Sequence, residues 1–397
     1  MKATLLFVLI NLSLSLFAQP PVYINFVSHN EPGDNLQTAS NYALMKTKVL
    51  QLANIIDQKG AKWNLQTCGG FAKGALDNDG ASSNIFRTLQ QAPYADNIEI
   101  DPRSKPNFYP TIADLYHILD SLGANPTHTL GGFIWYTTDS IAQPIDWYNY
   151  ETPVNATNFP VSWQCEYMWG AGSYSSSGPH VNDYNDYGIW KPNLPTDFAT
   201  HNSSRNVWFI GNGCQPILSL DSLDTIDNIL TPLKSFIDSI QNMQLPQNQF
   251  YCYSITINQS EFGPMLFNKV SAVCDSVNNW GTNKIQWATL TEKMDSFYVW
   301  QASTGLDSSQ WKCGQTVTSI KEEYPDIFMI YPNPASENIF IKLNDTKKHT
   351  LIIYNMFGQV IYEQKIKGIE NVNVSKLPSG NYIIQTDHLQ RKLFIKN

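Results

Sequence analysis

Val22-Tyr23-Ile24-Asn25-Phe26-Val27-Ser28-His29-Asn30-Glu31 is the stretch whose reading decides the fold. A strand-forming run at 22–28 ends abruptly in a histidine, an asparagine and a glutamate. The period then changes: within 43–59, Leu44, Val49, Leu52, Ile55 and Ile56 recur at helical spacing. A strand that hands over to an amphipathic helix is the first half of a parallel crossover unit. Further strand-like runs are predicted at 63–67, 97–101, 129–135, 162–168, 206–210, 250–257 and 285–290. Helical spacing also marks 112–122, stopped by Gly123, and 264–278. About eight strands in roughly 290 residues predict an α/β fold: a (β/α) barrel over residues 20–313, seven- or eight-stranded and irregular. An open doubly wound sheet is the alternative. No G-x-G-x-x-G follows the first strand and no Walker sequence occurs, which weakens a nucleotide fold.

In a parallel barrel, reactive side chains gather at the carboxyl ends of strands and in the loops that follow. Those positions are His29 and Glu31, then Gln66 and Thr67, then Glu99, Asp101 and Arg103. Trp135, Glu166, Asn212, the group Asn258, Gln259 and Glu261, and finally Thr289 and Glu292 follow from later strands. The segment 170–197 holds His180, Asp183, Tyr184, Asp186 and Trp190, and is long for a compact domain. It reads as a lid over substrate, or as a disordered insertion.

Glycosidic cleavage needs one protonated carboxyl at the leaving oxygen and one ionised partner. Glu31, Asp101, Glu166 and Glu261 are the catalytic candidates. Glu166 stands among Trp163, Tyr167 and Trp169, and an apolar pocket would raise its pKa toward an acid role. Each carboxylate could instead pair with Arg103, Lys105 or Lys191. Trp135, Arg103, Trp169, Tyr184 and Asn212 are the candidates for holding substrate. His29 and Glu31 alternate on an extended segment and so share a side. With Asp101 as third ligand, or His180 or Asp183, they would suit a divalent metal, zinc or manganese. Alternatively His29 bonds a neighbouring strand end and Glu31 caps its loop. His117 falls within a helix and His128 precedes a strand, so neither is counted.

The chain opens Met1-Lys2, runs apolar from Leu5 to Phe17 and reaches Ala18-Gln19-Pro20. Those are the parts of a secretory signal peptide, expected at 1–19, with a buried helix as the alternative. The run is too short to span a bilayer, and no later segment is long and apolar enough. With 397 residues, 15% charged, 13% aromatic and a net charge of −8, the chain is globular and soluble, not disordered. No Lys/Arg cluster suggests nucleic acid. Eleven Trp and twenty Tyr would suit a sugar-stacking cleft, though aromatics also fill cores. Six cysteines in an exported chain permit up to three disulfides. None is spaced C-x-x-C, which argues against a zinc ribbon.

A polar linker is expected at 314–326, and residues 327–397 change character. Short β runs at 328–331, 338–343, 349–355, 360–363, 370–374, 381–386 and 392–396 predict a small β-sandwich. Within it stand Tyr331-Pro332-Asn333-Pro334-Ala335, then Ile353-Tyr354-Asn355-Met356-Phe357-Gly358-Gln359-Val360, then Leu377-Pro378-Ser379-Gly380-Asn381-Tyr382-Ile383. In that order these blocks resemble the C-terminal sorting domain of type IX secretion substrates. The resemblance implies export across the outer membrane by the type IX machinery. Removal of the tag, with release or attachment to the cell surface, would follow. An ordinary carbohydrate-binding or immunoglobulin-like sandwich is the alternative.

The large domain is similar in architecture to the NodB-like polysaccharide deacetylase superfamily and its glycoside-hydrolase relatives. The likeness rests on the first strand ending His29-Asn30-Glu31, on Lys59-Gly60-Ala61-Lys62-Trp63, on Asn97-Ile98-Glu99-Ile100-Asp101, on Leu119-Asp120-Ser121-Leu122-Gly123, and on 285–292. Deacetylases of that kind carry a paired Asp-Asp after the first strand and an H-x-x-x-H after the third, which hold a metal that activates water. This chain has neither, and it places Asp101, Arg103 and Lys105 where the histidines would fall. The expectation is a secreted or surface-attached, carbohydrate-active hydrolase with a non-standard site. The alternative is a catalytically inactive glycan-binding surface protein on a degenerate barrel. A peptidase has little support, since neither H-E-x-x-H nor G-x-S-x-G occurs.

Overall fold

The computed structural model describes residues 19–30, 34–136, 147–175, 178–179, 186–194, 197–213, 218–220, 225–312, 328–343, 347–355, 359–386 and 390–397. The expected leader up to residue 18, Glu31, His180, Asp183, Tyr184 and the expected linker lie outside these residues. The chain parts into two units, one within Ala18–Val317 and one within Thr318–Asn397.

In the larger unit, strand-forming runs become β1 (Val22–His29), β2 (Trp63–Thr67), β3 (Ile98–Pro102), β4 (Thr129–Tyr136) and β5 (Tyr167–Ser175). There follow β6 (Ile189–Trp190), β7 (Trp208–Ile210), β8 (Leu218–Leu220), β9 (Cys252–Ile257) and β10 (Ile285–Trp287). One sheet runs β8-β9-β1-β2-β3, with β10 beside the start of β1, and every pairing in it is parallel. The other runs β4-β5-β7-β6; only β6 and a two-residue strand, Gly178–Pro179 against β5, are antiparallel. A parallel bridge between Arg103 and Gly131 joins β3 to β4. The α/β class and the parallel crossover order are therefore as expected. No ladder joins β7 to β8 among the described residues.

Each strand of the first sheet alternates two kinds of face. Ile24, Phe26, Trp63, Leu65, Ile98, Ile100 and Ile255 pack in one core with helix residues such as Val49, Leu52, Ile56, Leu115 and Val270. Burying one such side chain is worth about 1.5–3 kcal/mol. The opposite face carries Asn25, Asn64, Gln66, Asp101 and Ser254, all buried. Strands buried on both faces usually read as continuous apolar runs, so this polar face calls for internal partners.

The helices are α1 (Ala39–Lys59), α2 (Gly69–Asn78), α3 (Ile85–Leu89), α4 (Ile112–Ser121), α5 (Asp227–Gln241), α6 (Pro264–Asn278) and α7 (Leu290–Thr304). Helix α1 starts four residues before its expected bound and ends at Gly60, whose φ of 60° is the left-handed stop. Sequence periodicity missed α2, α3, α5 and α7. The last of these overturns part of the final predicted strand. Thr289 is the N-cap of α7 and forms a capping box with Glu292, which also pairs with Lys62 at 2.7 Å. Their side chains are spent on a helix end, not on a strand-end site. The fifth predicted strand is likewise displaced: Ser162–Trp163 pairs with Val154–Asn155, and β5 begins only at Tyr167. Cys68, Cys165, Cys252 and Cys274 are buried and in no disulfide, which limits the disulfide expectation to Cys214 and Cys313, both outside the described residues. Among the described residues no helix is long and apolar enough to cross a membrane.

The smaller unit holds β11 (Phe328–Tyr331), β12 (Asn338–Leu343), β13 (His349–Asn355), β14 (Val360–Ile366), β15 (Ile369–Asn373), β16 (Gly380–Thr386) and β17 (Gln390–Lys396). Two antiparallel sheets, β11-β12-β15 and β14-β13-β16-β17, enclose a core with Phe328, Ile339, Ile341, Leu351, Ile353, Ile384 and Phe394. The quoted motifs have local jobs here. Asn333 Oδ1 accepts from Ile395 N at 2.9 Å, and Ala335 N donates to Ile395 O at 3.0 Å, so the first block pins the last strand. Asn355 Oδ1 accepts from Gln359 N at 2.9 Å, and the Tyr382 hydroxyl donates to Pro378 O at 2.6 Å.

Thr289→Ala removes the side-chain half of the α7 capping box and is expected to lower stability by about 1 kcal/mol. Urea unfolding of the larger unit checks this, and an unchanged midpoint would contradict the assigned cap.

Candidate active site

The buried polar face is wired as a directed chain of hydrogen bonds. Lys293, fully buried on α7, donates from Nζ to Asn25 Oδ1 (2.5 Å), Tyr253 O (2.7 Å) and Ser254 Oγ (3.1 Å). Asn25 Nδ2 donates to Asn64 Oδ1 at 2.7 Å. Asn64 Nδ2 then reaches two carboxyls, Glu99 Oε1 at 2.6 Å and Asp101 Oδ2 at 3.0 Å. Thr127 Oγ1 donates to Asp101 Oδ1 at 2.6 Å, and Thr291 N reaches both Glu99 oxygens at 3.3 Å. Parallel register explains the assembly, since it sets Asn64 beside Glu99 and Gln66 beside Asp101.

Above this chain lie the carboxyl ends of β1, β2 and β3. Gln66 Nε2 donates to Asp101 Oδ2 at 3.5 Å, whereas the buried Gln66 Oε1 has no hydrogen-bond partner. Arg103, 4% exposed, donates from Nη1 to Asn30 O. Gly131 and Gly132 make room for these groups. A Cβ on Gly131 would come within 2.6 Å of Gln66 Cδ, and one on Gly132 within 2.8 Å of the His29 ring and 3.0 Å of Arg103 Nε. Asn30 Nδ2 donates to Gln259 Oε1 at 2.5 Å, leaving Asn30 Oδ1 and Gln259 Nε2 buried without partners. From the second sheet, Trp169 sets its ring 5.9 Å from that of His29 and donates to Asn212 Oδ1 (2.5 Å) and Ser254 Oγ (3.1 Å).

His29, Asp101, Arg103, Trp169 and Asn212 thus belong to one connected cluster. Glu166 does not. It is exposed at the start of β5, its backbone N–H bonded to His128 O, at the strand end opposite the cluster. The predicted acid pocket fails because the strand begins one residue after Glu166 instead of ending beside it. Glu261 is half-buried in the turn Gln259–Glu261 after β9. Trp135 stands near the carboxyl end of β4, its side chain outside the described parts. Glu31 and Tyr184 lie outside the described residues altogether. Among the described residues, no three His, Cys, Asp or Glu side chains gather as a metal would require. Two described cavities, one along α5 with Thr231, Lys234 and Asp238, the other at Gln19, Val22 and Lys284, involve none of the cluster.

Burial, and then the charge of Glu99, raises Asp101 well above the usual carboxylate range; burial also raises Glu99. Asp101, fully buried, and Glu99, half-buried, stand two positions apart on one strand, so ionising both is costly and Asp101 is the one whose proton is held more tightly. Burial pulls Lys293 down to about 7.

The residues that reasoning from sequence passed over, Asn25, Asn64 and Lys293, are those that connect the cluster. Asn25 and Asn64 left a signal: single carboxamides between apolar neighbours in Ile24-Asn25-Phe26 and Trp63-Asn64-Leu65. Lys293 left none.

With this geometry in place, comparison with known proteins places the C-terminal unit. Residues 329–396 match the secretion system C-terminal sorting domain. This unit is a type IX sorting domain. The sorting domain marks the chain for export by the type IX system to the outside or the outer cell surface. An ulvan lyase of Nonlabens ulvanivorans is 29% identical over 90 residues, 22% of this chain and 17% of that protein. The chain therefore spans about a sixth of that relative's length. Among solved structures, a protein assigned as a polysaccharide deacetylase from Mycobacterium smegmatis aligns with 71% of this chain and 91% of its own (TM-score 0.39, 8% identity). A 4-alpha-glucanotransferase from Thermococcus litoralis aligns with 70% of this chain and 40% of its own (TM-score 0.39, 12% identity). Likenesses of that size carry no argument about the larger unit.

The Lys293 ammonium falls from about 10.4 in an unfolded chain to about 7 in the folded one. Between those values the unfolded chain binds more protons, so this group makes stability rise with pH from about 7 to about 10. Lys293→Met is expected to lack that rise. Parallel pH profiles of the two proteins in urea unfolding from about pH 7 to 9 would contradict it.

Proposed function

We propose that the larger unit hydrolyses a glycan at the carboxyl ends of β1, β2 and β3. The observation that carries this reading is Asp101, a fully buried carboxyl whose hold on its proton burial and Glu99 strengthen, beneath a strand-end cluster in which Gln66, Asn30 and Gln259 keep polar atoms unpaired. A neutral acid in a buried site is what protonation of a leaving oxygen or amine needs. Arg103, Trp169 and Asn212 are the proposed substrate contacts, and Glu31 or Glu261 the proposed second carboxylate. A divalent metal at His29 and Glu31 would supply an activated water in a deacetylase-like variant of the same reading.

The proposal includes a closed (β/α) ring. Its support is that β3 meets β4 through the Arg103–Gly131 bridge, while Trp169 on β5, which also donates to Asn212, donates to Ser254 on β9. A catalytically inactive glycan-binding protein is the second reading, favoured by one observation: both Asp101 oxygens are already engaged, by Thr127 and by Asn64.

The test incubates the exported protein with plain and acetylated glycans and with ulvan, each with zinc, manganese or a chelator. Hydrolysis is expected, and Asp101→Asn is expected to lower its rate by about 100-fold or more. Bound metal lost on His29→Ala would assign the metal variant. Glycan binding without hydrolysis in any arm would replace the enzyme reading with the second one.

A further inference from the structure

We propose that Lys293 is the counter-charge of the Glu99–Asp101 pair, acting through the Asn25 and Asn64 carboxamides instead of by contact, and that it is thereby a positioning residue for the strand-end site. Only that last clause rests on the proposed function; the charge pairing does not.

Proton inventory gives Lys293 its charge. Its Nζ faces three acceptors, Asn25 Oδ1, Tyr253 O and Ser254 Oγ. The Ser254 hydroxyl proton is directed elsewhere, to Asn25 Oδ1 at 2.7 Å. Ser254 Oγ also accepts from Trp169 Nε1 at 3.1 Å. No proton is aimed at Nζ, so three N–H donors are needed, which only the ammonium form has.

A fully buried ammonium needs a negative partner. Among the described residues Lys293, Glu99 and Asp101 form no ion pair. Other groups near the chain are engaged otherwise. Arg103, next but one after Asp101, turns to Asn30 O. The buried Cys252 thiol is pushed up by burial to about 11 and stays neutral. Among the described residues a hydrogen-bonded route runs between the cation and the carboxyls, and its donors all point the same way: ammonium to Asn25 oxygen, Asn25 nitrogen to Asn64 oxygen, Asn64 nitrogen to both carboxyls. Hydrogen bonds oriented head to tail in a low dielectric polarise one another, so the cation is felt two carboxamides away. An orientation reversed at either amide would break the series, since each amide oxygen already accepts from the Lys293 side.

The experiment is a double-mutant cycle by urea unfolding of the full chain near pH 6, where the ammonium is held. Lys293→Met is made in the native background and in Glu99→Gln/Asp101→Asn, whose side chains keep their shape without charge. The expected result is a lowered midpoint for Lys293→Met in the native background, and an unchanged or raised midpoint in the neutral one. A lysine that merely packs would shift both backgrounds equally, and that additive result would overturn the proposal. If Lys293→Met alone fails to fold, the triple variant is expected to fold; its failure, where Glu99→Gln/Asp101→Asn folds, would overturn it too. Hydrolysis plays no part in this readout, so an inactive protein with a clear coupling sinks the functional reading and leaves the pairing intact.

Discussion

Burying charge inside a parallel sheet is the constraint from which the larger unit follows. Glu99 and Asp101 alternate with Ile98 and Ile100, so the same pleat that drives the isoleucines into the helix-side core drives both carboxyls to the other face. Each unpaired buried polar group would cost roughly 1–3 kcal/mol, and an uncompensated charge more. The neighbouring strands answer with donors in register: Asn64 on β2, Asn25 on β1, Ser254 on β9. Helix α7 completes the set. Its apolar side, with Leu290, Met294, Phe297 and Trp300, packs with Val27, Trp169 and Cys252, and that docking carries Lys293 to the polar face.

The same constraint shapes the strand ends. The polar file loses partners at Gln66, Asn30 and Gln259, which is where the proposed binding surface begins. Close approach of β4 depends on Gly131 and Gly132, because a side chain at either would displace Gln66, His29 or Arg103. Gly132 also has a φ of 59°, which a residue with a side chain rarely adopts.

Much of this could be read from the chain, and the failures have physical causes. The C-terminal unit was legible because its strands alternate strictly, as in Asn338-Ile339-Phe340-Ile341-Lys342-Leu343, and because its turn blocks have fixed local bonding duties. In the larger unit β1, β2 and β3 were found by the same alternation. Helix α7 was missed because exposed apolar residues, Tyr298 and Val299, interrupt the pattern of its buried stripe of Leu290, Met294, Phe297 and Trp300. Glu166 was misplaced for a different reason: Ser162–Trp163 and β5 merge into one apolar run in sequence, and only their pairing partners separate them. Lys293 was invisible, since a lysine on a helix reads as solvated until the fold buries it.

The export assignment stands on the sorting domain alone, whereas the functional reading stands on the strand ends of the larger unit. Its central claim, that glycan binds at the carboxyl ends of β1, β2 and β3 against Arg103, Trp169 and Asn212, is tested most directly by a crystal structure of the protein soaked with an oligosaccharide of a glycan it acts on or binds. The account predicts sugar density at those strand ends, with a hydroxyl or amide against Gln66 Oε1. Density along α5, or at the opposite strand ends beside Glu166 and His128, would contradict it.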